Sequence, residues 1–347
     1  MATTTGNFKH IDTALFKPDA GKQWVKVDSD ATSFQFASVP RTVHDLRGVF
    51  TDSLPATPEV SASADFNTDK AGFGVLRSPL PETLNADSFL DEAAVRGPYY
   101  DDIERLLRAD CEAQLSNSGK GKKVAKVVIF DHTIRRRTPD AARAPVNQVH
   151  VDQTTDAAIA RVRRHLPEAE AEEFLKPGRR FQLINVWRPI GHPAADHPLA
   201  VVDWRSTEPK DFIAVDLLYP KRKDSGAFVS SDSNSSGSST PKSKYDHRGT
   251  EVRPDESTYN STEGYEARGE TMAVAANESH RFHYVKDMTP DEVVLLKCYD
   301  SWGQGERDGV EGLATRTPHT AFDDPATPKD AKFRQSIEVR ALVFYEE

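Results

Sequence analysis

From residue 124 to the C-terminus the chain carries about eight short runs rich in valine, isoleucine, leucine and aromatic residues, few of them separated by helical stretches. Strands that follow one another without crossover helices pair antiparallel, which argues against a βαβ architecture. Eight such strands fit a jelly-roll, the double-stranded β-helix of cupin-like proteins. The expected class is therefore mainly β, a double-stranded β-helix core with flanking helices. Helical spacing marks two stretches, residues 98–116 (Tyr99, Ile103, Leu106, Leu107) and residues 156–175 (Ile159, Val162, Leu166, Phe174).

Two regions stand apart from the strand series. In residues 1–95 short apolar runs alternate with Pro, Ser, Thr and Asp; this part reads as an N-terminal arm packed on the core, with a strand at 34–40 and a loop at 53–63. The core, the expected double-stranded β-helix domain, spans residues 96–347. Within it, residues 223–268 are Ser-rich and poor in apolar side chains, and are expected to form a flexible surface insertion. The turn at 118–123 holds two glycines without P-loop spacing.

The formal charge of −9 argues against nucleic acid or an anionic membrane surface as partner. No apolar run is long enough to span a bilayer, and residues 1–9 lack the pattern of a signal peptide. Cys111 and Cys298 are far apart in apolar surroundings and read as buried free thiols. A cytoplasmic protein is expected.

The chemistry centres on Gln148-Val-His150-Val-Asp152-Gln-Thr154. On a strand His150 and Asp152 point to one face, with Val149 and Val151 on the other. One imidazole and one carboxylate are two thirds of the 2-His-1-carboxylate set that holds Fe(II) and leaves positions open. His10-Ile11-Asp12 has the same spacing but precedes the strand series and is set aside. In a double-stranded β-helix the third ligand belongs on the seventh strand. The seventh run, residues 313–322, contains His319; His283 is its rival, while His192 and His197 fall in a Pro-rich turn. The last strand is introduced by Arg334-Gln-Ser336, whose two side chains share a face and suit the distal carboxylate of 2-oxoglutarate. Arg340 lies on that face too and competes for this role.

Several blocks together resemble one family: Asn185-Val-Trp-Arg-Pro, Asp203-Trp-Arg-Ser, His283-Tyr-Val-Lys-Asp-Met-Thr-Pro-Asp-Glu, Lys297-Cys-Tyr-Asp-Ser, Pro318-His-Thr-Ala-Phe and Arg334-Gln-Ser-Ile-Glu-Val-Arg-Ala-Leu-Val-Phe. The resemblance is to the fungal gibberellin desaturase and AsaB-type hydroxylase/desaturase group, with the bacterial CmcJ-like proteins, and covers about residues 90–347. It implies a non-haem Fe(II), 2-oxoglutarate-dependent oxygenase of secondary metabolism that uses O₂ to hydroxylate or desaturate a small molecule. Arg188, Tyr284 and Tyr299 are candidate substrate contacts, with Trp187 and Trp302 as further aromatic candidates; Arg188 and Arg205 read equally well as ion-paired rim residues. Lys297 and Asp300 are spaced for an ion pair. A non-catalytic accessory subunit would lack a triad member, and a cupin-type metalloenzyme without 2-oxoglutarate would not need the Arg-x-Ser pair.

Overall fold

A computed structural model describes residues 1–16, 21–29, 31–50, 65–117, 123–137, 145–221 and 260–346. The loop expected at 53–63, most of the turn at 118–123 and the Ser-rich stretch up to residue 259 lie outside the described residues. The strands are β1 (Thr3–Ile11), β2 (Gln23–Lys26), β3 (Phe36–Asp45), β4 (Phe73–Arg77), β5 (Val124–Arg136), β6 (His150–Val151) and β7 (Phe181–Pro189). They continue with β8 (Leu199–Val202), β9 (Phe212–Pro220), β10 (Tyr265–Val274), β11 (Phe282–Tyr284), β12 (Glu292–Asp300), β13 (His319–Ala321) and β14 (Gln335–Tyr345).

They build two sheets, one of nine strands in the order β1-β3-β11-β8-β13-β6-β10-β9-β2 and one of five in the order β4-β12-β7-β14-β5. The mainly β jelly-roll expectation holds. Pairing is antiparallel except for β11 with β3 and β2 with β9.

Three details differ from the sequence reading. From Val124 onward there are ten described strands rather than eight, so His319 lies on the ninth of these. Residues 1–95 do more than pack on the core. They supply β1, β2 and β3 to the larger sheet and β4 to the edge of the smaller one. The strand β10 begins at Tyr265, inside the stretch expected to be an insertion.

The smaller sheet is buried on both faces. On its outer face Ile337, Val339 and Ala341 of β14 and Ile184 and Val186 of β7 pack against Ile103, Leu106 and Leu107 of the helix Tyr100–Asn117. Full burial of each such side chain contributes about 1.5–3 kcal/mol. Asp101 and Asp102 in the first turn of that helix favour its dipole. Alternation then turns Ser336, Glu338 and Arg340 of β14, and Asn185 and Trp187 of β7, toward the larger sheet.

The helical stretch at 156–175 is two helices, Thr155–His165 and Glu168–Phe174, because Leu166 is extended ahead of Pro167. Thr154 caps the first, its hydroxyl accepting from Ala157 N at 3.1 Å. This helix starts three residues after Asp152, and its Ala158 and Val162 pack in one cluster with Phe174, Leu183, Leu342 and Phe344.

Candidate metal centre

His150 ends up beside His319 because β6 and β13 are antiparallel neighbours in which these two residues are directly paired. Their rings lie 4.5 Å apart between centroids. Asp152 sits one residue beyond the end of β6, and its Oδ1 lies 3.4 Å from His150 Nε2. One ligand atom from each of His150, Asp152 and His319 falls within 4.8 Å of the others, the one such group among the described residues. The fold therefore brings together the three residues that the sequence spacing singled out.

Each histidine is oriented by backbone two residues upstream. His150 Nδ1 donates to Gln148 O at 2.9 Å, and His319 Nδ1 donates to Thr317 O at 3.1 Å. A proton held on Nδ1 leaves the Nε2 lone pair of each ring for a metal. Thr317 is itself anchored, its N–H donating to Lys297 O at 2.7 Å and its hydroxyl to Gly72 O.

Asp152 is gripped through its other oxygen. Oδ2 accepts from Asn185 Nδ2 at 2.7 Å and from Arg340 Nε at 3.2 Å. Burial works against the charge of Asp152, but Arg340 and the two histidines outweigh it and hold the carboxyl well below its usual range. Burial also lowers the pKa of His319, with His150 adding to the effect, which favours the neutral ring that metal binding requires.

Arg340 and Arg334 have different surroundings. Arg340 donates to Asp152, to Glu338 at 2.7 Å and to Thr133 at 2.9 Å, with Asp131 at 3.7 Å. Its fork is occupied by protein acids. Arg334 is 3% exposed and makes no ion pair among the described residues. Its Nη1 donates to His197 O at 2.6 Å, its plane lies over Trp187 at 5.6 Å, and its buried Nε has no partner. Burial and the nearby Arg135 push its pKa down to about 9. An unpaired, desolvated guanidinium of this kind suits an anionic ligand. Ser336 is buried two residues further on.

A narrow apolar pocket adjoins these groups. Trp187, which stacks on Arg334, and Val201, the cross-strand partner of His319, both line it, as do Leu199, Tyr284 and Val294.

The other candidates fall elsewhere. Arg188, expected near substrate, lies on the outer face of β7, where alternation separates it from Asn185 and Trp187. It is fully buried and donates to Tyr99 OH and the carbonyls of Ser78 and Pro290. Every residue of β7 is buried, so burial of the strand does not distinguish its two faces. Tyr299 packs in the core beside Phe181, and its hydroxyl donates to Glu306. Tyr284 does line the cavity, its hydroxyl donating to Asp324 at 3.3 Å. His283 is on the inner face, among Phe66, Phe73 and His44, away from the triad. His10 is buried and bonded to Val274 O. Lys297 and Asp300 do pair, at 2.7 Å, within a buried group that includes Asp69 and Arg180. Both cysteines are free and buried. Asn185, which donates to Asp152 at 2.7 Å, is a neighbour of the candidate site that the sequence reading missed. It stands two positions from Trp187 on the same strand face, but nothing local distinguishes it from a core polar residue.

A jelly-roll carrying two histidines and an aspartate on its inner face defines the scaffold of a mononuclear non-haem iron oxygenase. A family model described as "Oxidoreductase/YMDC permease-like domain" matches residues 56–238 and 245–344. The hydroxylase/desaturase efuI of Hormonema carpetanum is 28% identical over 91% of this chain and 87% of its own. The aspirochlorine biosynthesis protein N of Aspergillus oryzae is 33% identical over 67% of this chain and 75% of its own. The Fe(II)/2-oxoglutarate-dependent dioxygenase nvfI of Aspergillus novofumigatus is 28% identical over 94% of each chain. The solved structure of the iron and alpha-ketoglutarate-dependent endoperoxidase NvfI has the same fold, with a TM-score of 0.67 at 23% identity over 99% of this chain and 98% of that one. The chain belongs to this hydroxylase/desaturase family of oxidoreductases, whose enzyme class is the Fe(II)/2-oxoglutarate-dependent dioxygenases. No helix among the described residues is long and apolar enough to cross a membrane.

Proposed function

We propose that His150, Asp152 and His319 hold the Fe(II), and that Arg334 with Ser336 receives the distal carboxylate of 2-oxoglutarate. The observation that carries this reading is the convergence of the three ligand atoms within 4.8 Å, with both imidazoles presenting Nε2. Support for the cosubstrate assignment is the buried Arg334 fork with its unpartnered Nε. Arg340 is its rival, but its donors are taken by Asp152, Glu338 and Thr133. When bound, iron and 2-oxoglutarate activate O₂ for oxidation of a C–H bond. The chain's own part is to orient the ligands, to anchor the cosubstrate and to keep water out.

The substrate is a small molecule of fungal secondary metabolism, and the apolar walls of the cavity favour a largely hydrocarbon one. We read the compartment as cytoplasmic, in keeping with two free buried thiols. We read residues 1–95 as belonging to the same folding unit as 96–347, since β1, β2 and β3 join the larger sheet and β4 the smaller one.

Anaerobic titration of the apoprotein with Fe(II) and then 2-oxoglutarate tests the site. The visible charge-transfer band of the chelate is expected in the wild type, is expected to vanish in His319→Ala, and is expected to need at least tenfold more 2-oxoglutarate in Arg334→Gln, about 1.4 kcal/mol. Bound metal without a band in the wild type would refute the 2-oxoglutarate assignment.

A further inference from the structure

The carboxylate of Asp152 is held asymmetrically. Its Oδ1 faces His150 Nε2, whereas its Oδ2 is turned away into two donors, Asn185 Nδ2 at 2.7 Å and Arg340 Nε at 3.2 Å. We propose that Asn185 and Arg340 form a clamp that keeps Asp152 a one-oxygen ligand, so that the position a second oxygen would take stays open for the 2-oxoglutarate chelate. The inference rests on the iron reading above and extends it to two positioning residues on neighbouring strands, β7 and β14, which are themselves paired at Arg340 and Asn185.

Three features argue for a dedicated clamp over incidental packing. Arg340 is immobilised from other sides by Glu338 at 2.7 Å and Thr133 at 2.9 Å, so its Nε is fixed in direction. Asn185 is fully buried, and its own Oδ1 has no partner. A packing residue would not leave a buried carbonyl oxygen unsatisfied; the amide is retained for what its Nδ2 does. Finally, a carboxylate ligand has two equivalent oxygens and readily binds a metal through both. Tying one of them to two donors is the means this site has to prevent that. Hydrogen bonds to metal ligands of this sort tune both geometry and affinity.

The test uses the full-length protein with Fe(II) or Mn(II) and 2-oxoglutarate as probes. Asn185→Leu removes the donor with little change in volume, and Arg340→Lys keeps the charge but loses the directed Nε. Thermal unfolding of the apoproteins shows whether each variant folds; Asn185→Ala, which also lacks the donor, replaces the first if it does not. Metal affinity is read by Mn(II) electron paramagnetic resonance, and cosubstrate affinity by the charge-transfer band. The clamp predicts metal affinity within about threefold of wild type, because the freed Oδ2 turns onto the metal, and 2-oxoglutarate binding weakened 10- to 100-fold. Parallel losses of metal and 2-oxoglutarate would overturn the clamp and make these residues general supports of Asp152. Unchanged binding of both would overturn it as well. A wild type that binds no metal removes the underlying iron reading, and the clamp with it. A wild type with a normal band leaves the iron reading standing, so that any failure then belongs to Asn185 and Arg340.

Discussion

Gly72 is the position where one methyl group is expected to disturb the candidate metal centre from outside it. Its φ of +83° is in the left-handed region, where a side chain costs about 1–2 kcal/mol. A Cβ there would also fall well inside contact distance of Thr317 Oγ1 and 3.0 Å from Arg316 O. The backbone oxygen leaves little room to relax, so overpacking adds about 1–3 kcal/mol. Gly72→Ala is thus expected to lose about 2–5 kcal/mol of stability in urea unfolding of the apoprotein. The displacement reaches function through Thr317, whose carbonyl accepts from His319 Nδ1. Fe(II) affinity should fall about tenfold or more. The double variant Gly72→Ala, Thr317→Ala separates the two causes. It removes the side-chain clash but keeps the φ strain, so about 1–3 kcal/mol of coupling should appear in the cycle. A single variant within about 0.5 kcal/mol of wild type, or a cycle with no coupling, would refute the reasoning.

Two further outcomes are expected. Lys297→Met leaves Asp69 and Asp300 buried with Arg180 as their remaining cation, and should cost about 3–5 kcal/mol by denaturant unfolding with 2-oxoglutarate affinity little changed. Stability should also fall on acidification below about pH 6.5. Burial pushes His10 and His283 down to about 4, so between that value and the ordinary 6.5 the unfolded chain binds protons that the folded chain does not. Each histidine contributes a slope of about 1.4 kcal/mol per pH unit in that window, and His283→Leu should flatten the pH dependence of urea midpoints between pH 6.5 and 5. An unchanged slope would show that His283 does not titrate in that range.

The jelly-roll class and the triad were legible in the sequence because both are matters of order and alternation. Apolar runs without intervening helices imply antiparallel strands, His-x-Asp on such a run implies one face, and a histidine on a late strand completes the set. The helix Tyr100–Asn117 was equally visible from its 3.6-residue spacing. The strands of residues 1–77 were harder to read. Of the four, β2 and β4 have only four and five residues, and their partners are remote in sequence, as β2 pairs with β9 and β4 with β12. Pairing at that range leaves little local trace.

Alternation of side chains along β14 could put Arg334, Ser336 and Arg340 on one face, but it could not say which acid each arginine would meet. That depended on where β6 delivers Asp152 and where the 193–198 turn delivers its carbonyls. Arg188 repeats the point on β7, a strand buried on both sides, where burial gives no sign of which face looks into the barrel. Local periodicity and chain order were enough for the kind of barrel, the three convergent candidate ligands and the class of chemistry. They were not enough to show that Arg340 and Asn185 hold Asp152 while Arg334 stays unpaired. Those partnerships arise in the folded molecule, because hydrogen-bond partners are set by distances across strands that no one-dimensional pattern contains.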